Sequence, residues 1–591
     1  MQKWFLKNRN AENYTAVKNI VKDDLLAKVL CNRGIVEEGE VIDYLNDDYS
    51  LIYRTEGLPD LEPARKIIKD AIENHKKIRI VGDYDSDGIM STTLLLRSLK
   101  TFGAETSFEV PDRKQDGYGI NKRIVDGCIK DDVSVIITCD NGVSAFEAVK
   151  YAKDNGIKVI VTDHHLPKIE DGKEISVEAD AIIDPKVEKS SYPFNDICGA
   201  FVAFKLITYI SKDYEFNADL IDEITQYAAF ATITDIMPLL DENRDLIKRG
   251  LELINSRPAK AFYHLKNELK VDKEINVFHI GFILGPSVNA IGRLSNANHA
   301  IAAFESYDDD KIIAICKELY VLNQERKDLT ELGYEVAIKE IEADENFLDK
   351  DVIIVKSKDI ERSVAGIVAG RLKERYYRPA IALYEEDGIL YGSARSIEEY
   401  NLFDELSKAK DLLSGFGGHK LAAGLELKLD NYDKFVTFIN NNSNLTDEDK
   451  IEKIYIDAFY PIDFQKFSIF DTIEKLKPFG EKNPDVLFAD KDLVLKDISV
   501  FGQNRNVIKL KFRTKLDNIM TAILFYKEDE LKKDYEDEFN SDIYRDLASG
   551  KEIIMDICYN LRINEYMNNK NLEINVKHFR FRRWAYDRRF N

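Results

Sequence analysis

Residues 81–91 read VGDYDSDGIMS and place three aspartates, Asp83, Asp85 and Asp87, at alternate positions directly after the apolar run Ile78-Arg79-Ile80-Val81. A strand end that turns into a loop commonly carries one aspartate, because that side chain closes a turn on its own backbone. Three within five residues repel one another, and they stay ionised together only where a cation sits among them. A solvated acidic loop is the alternative reading. The rest of the chain decides between the two.

Working outward, short β-branched runs alternate with helical stretches from about 62 to 185: IRIV (78–81), SFEV (107–110), SVIIT (134–138), KVIVT (158–162) and AIID (181–184). Such alternation predicts a parallel α/β sheet with crossover helices. Further acidic and imidazole groups follow these runs: Cys139-Asp140-Asn141-Gly142 after the third, and Asp163-His164-His165 after the fourth. Asp235 closes the apolar helical stretch Ala231-Thr232-Ile233-Thr234. The C-terminal strand ends of a parallel sheet share one edge, where ligands gather at a topological switch point. The aspartates and the histidine pair are therefore expected to converge. Carboxylate and imidazole together suit Mn²⁺, with Mg²⁺ the alternative. So many ligands exceed the needs of one ion, which predicts a two-metal site able to activate water and clamp a phosphoryl group.

At 591 residues the chain should divide into about three or four domains. No stretch approaches the ~18–20 consecutive apolar residues of a membrane span, so no membrane association is expected. The start, MQKWFLKNRNAENY, lacks an apolar core, and no secretory signal is read there. Cys31, Cys128, Cys139, Cys198, Cys316 and Cys558 form no CxxC pair, which argues for reduced thiols in the cytoplasm. A net charge of −22 argues against a general nucleic-acid coat, so any polyanion must be met by local basic patches or bound metal.

Residues 24–47 have helical spacing, as do residues 200–270. Residues 306–345 predict one long amphipathic helix, with Ile312, Ile315, Leu319, Leu322, Leu329 and Val336 on one stripe, connecting two α/β regions rather than belonging to either core. A mixed α/β region follows at about 350–430. After PFGEKNPD (478–485), alternating strands such as VIKLKFR (507–513) predict a small β-barrel or sheet. The segment HFRFRRWAYDRRF (578–590) alternates five arginines with aromatic residues, the pattern of a single-strand binding surface.

GDYDSDG, TCDNG, TDHH and ATITDIMPL with ENR resemble the successive motifs of the DHH phosphoesterase family, and within it the RecJ-type single-stranded-DNA-specific 5′-to-3′ exonucleases. The resemblance extends through PDRKQDGYGI (111–120), CGAFVAFKL (198–206), GPSVNAIGRL (285–294), VAGIVAGRLKERYYRPAIAL (364–383), GSARSI (392–397), GFGGHKLAAGLEL (415–427) and LKPFGEKNPDVLF (476–488). It implies an α/β fold: an N-terminal helical segment (1–60), a parallel-sheet DHH domain (61–305), a connecting helix (306–345), a smaller mixed α/β DHH-associated domain (346–450) and an OB-like barrel (451–591). It implies Asp83, Asp85, Asp87, Asp140, His164 and Asp235 as ligands of Mn²⁺ or Mg²⁺. Asp83 either ligates or holds its neighbours, and His165 contacts the scissile phosphate or the leaving group. Substrate contacts are implied for Arg113, Asn289, Arg293, Ser393, Arg395, Ser396, Gly417, Gly418 and His419, and Tyr118 could stack on a base. The implied activity is degradation of single-stranded DNA to 5′-mononucleotides in repair and recombination. It is carried out by a cytoplasmic monomer with single-strand-binding protein and a RecQ-type helicase as partners.

The chain departs from the family pattern at Ile360-Glu361-Arg362-Ser363-Val364, where Trp-His-x-Gly-Val is usual, and at Ser287, where a basic residue is lost. Ser86 replaces an alanine, and Asp184 stands where asparagine usually precedes proline. Two other functions are weighed: a nanoRNase or cyclic-dinucleotide phosphodiesterase, and a non-catalytic DHH scaffold that binds DNA. The first class is typically shorter and lacks the OB-like module. The second would have lost motif carboxylates, and here all are present.

Overall fold

The computed structural model describes residues 2–582, apart from 8–9, 47, 113–115, 215–216, 345, 503 and 567–568. It divides into two compact units, Asp48–Glu452 and a second that joins Met1–Asp47 to Lys453–Asn591.

The first unit is built on five parallel strands, Ile78–Val81, Thr106–Glu109, Val135–Cys139, Lys158–Thr162 and Ala181–Ile183. Numbered along the chain, their spatial order is 2-1-3-4-5. The switch point of this doubly wound order falls between Ile78–Val81 and Val135–Cys139. Ile78–Val81 is buried along its whole length, because helices cover both faces of a parallel sheet. The aspartate segment opens the helix Ser86–Thr101, which is buried from Ser86 to Leu99 beneath helices Gly199–Ile210 and Ala218–Thr234.

The long helix runs Asp309–Glu342. It belongs to both cores rather than to neither: Ile312, Cys316 and Leu319 pack in the first, and Ala337 and Ile341 in that of the following sheet. The expected stripe of large residues holds only in its first half. Beyond it the buried positions are Thr330, Gly333 and Ala337, with Ile341 at the end, because the helix Ala365–Tyr376 lies so close that a Cβ on Gly333 would meet Val368 at 3.2 Å. Ser287 accounts for one departure from the family pattern: it is buried, and its hydroxyl accepts from Asn323 of the long helix at 2.9 Å.

The second sheet of this unit has the spatial order Gly415–His419, Ala422–Lys428, Ile389–Arg395, Ala380–Glu386, Ile353–Ser357. Only its last pair is parallel, so it is mixed α/β as the sequence predicts. Val277–Leu294 is the stretch among the described helices whose length and composition would suffice to cross a membrane. Its Ile280, Leu284, Val288 and Ile291 are instead buried in the protein core.

In the second unit, strand Gln2–Leu6 pairs with Glu452–Ile456, and helix Asp24–Asn32 packs on Phe467–Glu474. The strands Phe488–Phe501, Val507–Arg513, Ile519–Leu524, Asn569–Arg582 and Ile553–Tyr566 close on one another into a five-stranded barrel of OB type. Of the arginine-aromatic segment, residues 583–590 lie outside the described residues. In the described part the exposed arginines have partners on this chain: Arg580 pairs with buried Asp556 and covers Trp4, Arg582 pairs with Asp492, and Phe581 packs on Tyr535.

Candidate metal centre and substrate cleft

The predicted ligands converge at the switch point. Asp85 caps the helix Ser86–Thr101, its Oδ1 accepting from the amides of Asp87 (3.0 Å) and Gly88 (3.1 Å). Asp87 faces the start of the helix Gly199–Ile210, whose Gly199 amide donates to Oδ2 at 2.6 Å and whose Ala200 amide donates to Oδ1 at 2.7 Å. Only glycine fits at 199, since a Cβ there would lie 2.7 Å from that of Asp140. Asp140 itself sits in the left-handed region, at φ 60°, a conformation that concentrates at functional sites. Buried Asn141 holds this turn, donating to the carbonyls of Val81 and Cys139 and accepting from the Ile120 amide.

His164 Nε2 lies 3.1 Å from Asp140 Oδ1, 3.6 Å from Asp87 Oδ2 and 3.7 Å from Asp235 Oδ2. Three groups of ligand atoms each fall within 4.8 Å: Asp83, Asp85 and Asp140; Asp87, His164 and Asp235; Asp140, His164 and His165. Asp140 is common to the first and third, the position of a group shared between neighbouring cation sites. Burial and then the charge of Asp85 push the Asp87 carboxyl up to about 6, despite its two amide donors. Burial and the neighbouring carboxylates raise Asp140 and Asp235 well above the usual range. Burial, then His165, lowers His164 to about 3, leaving a neutral imidazole able to ligate. The buried Oδ2 of Asp235 accepts no hydrogen bond from the described residues. These are the marks of a site that divalent cations would complete, and the donor set fits them.

His165 differs from His164. Its Nδ1 is 2.7 Å from Asp163 Oδ1, and although burial alone would lower it, that carboxylate raises it to about 9. The ring is half-exposed. Asp163 is fully occupied, since Oδ1 also accepts from the amides of His164 and His165, and Oδ2 from that of Val143 at 2.9 Å. The Tyr118 hydroxyl donates to the Asp140 carbonyl and lies 3.3 Å from His165 Nδ1. Tyr118 thus stands over the site, edge-on to Tyr84, with half of its surface exposed.

Beside this centre lies a cleft of about 480 Å³. The first domain contributes Tyr84, Tyr118 and Arg293; the second sheet contributes Ser393 and Gly417 among others, and the turn before helix Ala365–Tyr376 contributes Arg362. Gly418 has φ 143°, and a Cβ there would meet the Ala422 carbonyl at 2.3 Å, so the GGH segment requires glycine. Other predicted contacts fall elsewhere. Asn289 accepts the Ser86 amide at 2.7 Å and so supports the aspartate loop, and buried Ser396 donates to the Tyr400 carbonyl. Both corrections have one cause, a short polar side chain satisfied by nearby backbone. Arg395 donates to the Ala394 carbonyl. Burial, and then the charge of Arg395, lowers the imidazole of His419. Arg113 lies outside the described residues. The sequence reading missed Asp163, Tyr84 and Arg362. Arg362 lies over the Tyr391 ring at 4.0 Å, at the point where the chain leaves the family pattern.

The DHH family N-terminal domain matches residues 77–232, the DHHA1 domain residues 349–443 and the RecJ OB domain residues 456–578. With carboxylates at the switch point of the first of these, the class is that of the DHH proteins. The single-stranded-DNA-specific exonuclease RecJ of Bacillus subtilis (strain 168) is 32% identical over 568 residues, covering 95% of this chain and 68% of that protein. Its namesake in Haemophilus influenzae is 30% identical over 537 residues, covering 87% and 90%. The fold superposes on the crystal structure of RecJ in complex with Mn²⁺ from Thermus thermophilus with a TM-score of 0.78, at 23% identity, over 98% of this chain and 79% of that one. A crystal structure of exonuclease RecJ bound to manganese matches with a TM-score of 0.57 at 27% identity, over 66% and 96%. The chain belongs to the RecJ family.

Proposed function

We infer that this protein is a metal-dependent exonuclease that degrades single-stranded DNA from the 5′ end to mononucleotides. The observation that carries the reading is the pair of ligand groups, Asp83–Asp85–Asp140 and Asp87–His164–Asp235, set beside a cleft with arginines on both walls. Those residues would hold two divalent ions, Mn²⁺ or Mg²⁺, which when bound activate water and neutralise charge on the phosphoryl oxygens. The chain's own residues do the rest. Asp163 keeps His165 protonated, and its half-exposed ring is placed to donate to the phosphate or to the departing oxygen. Arg362 faces phosphates entering the cleft, beside Arg293, whose guanidinium also donates to the Ser363 carbonyl at 3.0 Å. Tyr84 and Tyr118 offer ring faces to the terminal base. A cleft whose walls both touch one strand excludes a duplex by sterics.

One chain supplies both walls, in keeping with action as a monomer. The setting we propose is cytoplasmic repair and recombination, with single-strand-binding protein and a RecQ-type helicase supplying the strand. The retention of every motif carboxylate speaks against a scaffold, and the barrel speaks against a nanoRNase. The test is degradation of end-labelled strands. With Mn²⁺ or Mg²⁺, 5′-labelled single strands should release labelled mononucleotide from the first turnover, while blunt duplex and EDTA controls stay intact. Release of 3′-label first, or equal attack on duplex, would overturn it.

Reading of the 5′ end gives a second expected result. Arg362→Ala should lower the preference for a 5′-phosphate over a 5′-hydroxyl by about tenfold, the scale of one charge-assisted hydrogen bond. Arg395→Ala should lower it less, because that guanidinium is engaged by the Ala394 carbonyl. Rates on matched strands decide the matter, and a ratio that only Arg395→Ala changes would reassign the end contact to the His419 side of the sheet.

A further inference from the structure

The helical stretch Val277–Leu294 passes along the whole site. At one end Arg293 borders the cleft. A Cβ on Gly292 would meet the Tyr84 carbonyl, Asn289 holds Ser86, and Gly285 packs on Thr234, the neighbour of Asp235. Continuing away from the cleft, the next largely exposed side chains are Phe282 and Phe278, 72% and 58% accessible. Their rings stack on each other, with centroids 5.1 Å apart at 27°. A single exposed apolar side chain needs no explanation, but two rings held near-parallel in water do, since covering them would be favourable for both.

The backbone that presents them is also unusual. Ile280–Leu284 forms a π-helical turn ahead of Pro286, whose missing amide interrupts the α-helical ladder there. Such turns are rare and are found mostly at functional positions. Burial, and then the charges of Lys273 and Lys266, lowers the adjoining His279. The same stretch of chain carries Glu268, Asp272 and Glu274, so ring faces rather than net charge distinguish the surface.

We propose that Phe278 and Phe282 form a stacking platform for bases of the single strand, placed past the metal centre on the side away from Arg293. The proposal rests on the exonuclease reading above. Three and seven residues separate these rings from Gly285, about 5 and 10 Å along a helix axis. At roughly 3.4 Å per stacked nucleotide, the platform meets the strand about two to three nucleotides beyond the cleaved linkage. Its role is to hold the strand's interior while the end is cut, so it acts on strands long enough to reach it and on any sequence.

Two measurements test this. The first is 2-aminopurine, placed at successive positions of a 5′-phosphorylated strand and bound to the protein in EDTA so that nothing is hydrolysed. Quenching should peak about three to four nucleotides from the 5′ end, disappear in Phe278→Ala/Phe282→Ala and return in Phe278→Trp/Phe282→Trp. The second is the KM of the alanine variant with Mn²⁺. For a strand of about twenty nucleotides it should rise on the order of tenfold relative to its KM for a dinucleotide, with the salt slope of binding as in the parent. Quenching that does not depend on position, or a KM ratio equal to the parent's, would overturn the platform and leave the rings as a protein-binding face. Failure of the parent to hydrolyse any single strand would instead overturn the exonuclease reading, while the EDTA measurement still reports on the rings.

Discussion

Asp140→Asn should lower kcat on single-stranded DNA by on the order of 10³-fold or more, and at the same time raise the Tm of the metal-free protein by roughly 2 °C or more. Both effects follow from one crowding of charge. Asp140 stands among Asp83, Asp85, Asp87 and Asp235, and burial and that company hold its carboxyl well above the usual range. A carboxyl whose folded pKa exceeds its unfolded value near about 3.9 destabilises the fold increasingly as pH rises above that value. Asparagine removes this penalty, keeps the shape and tolerates the left-handed backbone at φ 60°, which alanine does less well. The gain in Tm in EDTA should therefore be larger at about pH 8 than at about pH 5. Added Mn²⁺ should stabilise the parent more than the variant, because a ligand that binds only the folded state raises stability by mass action. Calorimetry at the two pH values, with and without Mn²⁺, checks the sign. Parental kcat in the variant, or a Tm that falls in EDTA, would remove Asp140 from the metal centre.

Legibility from sequence follows the length scale of each interaction. The sheet is readable because a parallel strand buried on both faces must be a run of apolar residues, and four such runs stand at regular spacing, with the half-buried Thr106–Glu109 at the edge. The convergence of Asp83, Asp85, Asp87, Asp140 and His164 is readable because strand ends share an edge, and each motif follows its run directly. The DHH and OB domains are readable from resemblance, and the family models match both. Side-chain direction is not readable. Nothing in GSARSI says that Ser393 borders the cleft, that Arg395 turns to the Ala394 carbonyl, or that Ser396 is buried on the Tyr400 carbonyl. Those directions depend on strand register and on the turn beyond the strand. The long helix shows the same limit, because close approach of Ala365–Tyr376 selects Thr330, Gly333 and Ala337, which a search for large apolar residues passes over.

The arginine-aromatic segment is a limit of another kind. Its pattern suits a nucleic-acid surface and a barrel strand equally well, because both alternate by two. The described part follows the second use as a barrel strand, with exposed Arg580 and Arg582 paired to Asp556 and Asp492.

The remaining prediction concerns Asp163, which the sequence groups with the strand-end carboxylates without giving it a role of its own. Asp163→Asn should reduce kcat at about pH 8 by about 10²- to 10⁴-fold, the range seen when a buried carboxylate that orients a catalytic imidazole is made an amide. All of its partners are donors: His165 Nδ1 at 2.7 Å, the amides of His164 and His165, and the Val143 amide. An asparagine of the same shape must turn its NH₂ group toward one of these donors, so at least one contact becomes repulsive whichever way it faces. The larger loss is in His165. Burial alone lowers that imidazole; Asp163, by its hydrogen bond and its charge, is the largest of the groups that raise it, and the charges of Asp235 and Asp87 add to it. With the carboxylate gone, burial is opposed only by the charges of Asp235 and Asp87, so the pKa should fall and less of the ring should be protonated at about pH 8. If activity needs protonated His165, the alkaline limb of the variant should lie at lower pH than that of the parent. Lowering the assay pH should therefore restore part of the variant's activity relative to the parent. A pH–rate profile from about 5.5 to about 9.5 with Mn²⁺ measures this, beside His165→Ala and the double variant. In the His165→Ala background, Asp163→Asn should add little, because the two residues act as one unit. An alkaline limb that stays in place, or losses that multiply in the double variant, would show that Asp163 only braces the His164–His165 backbone.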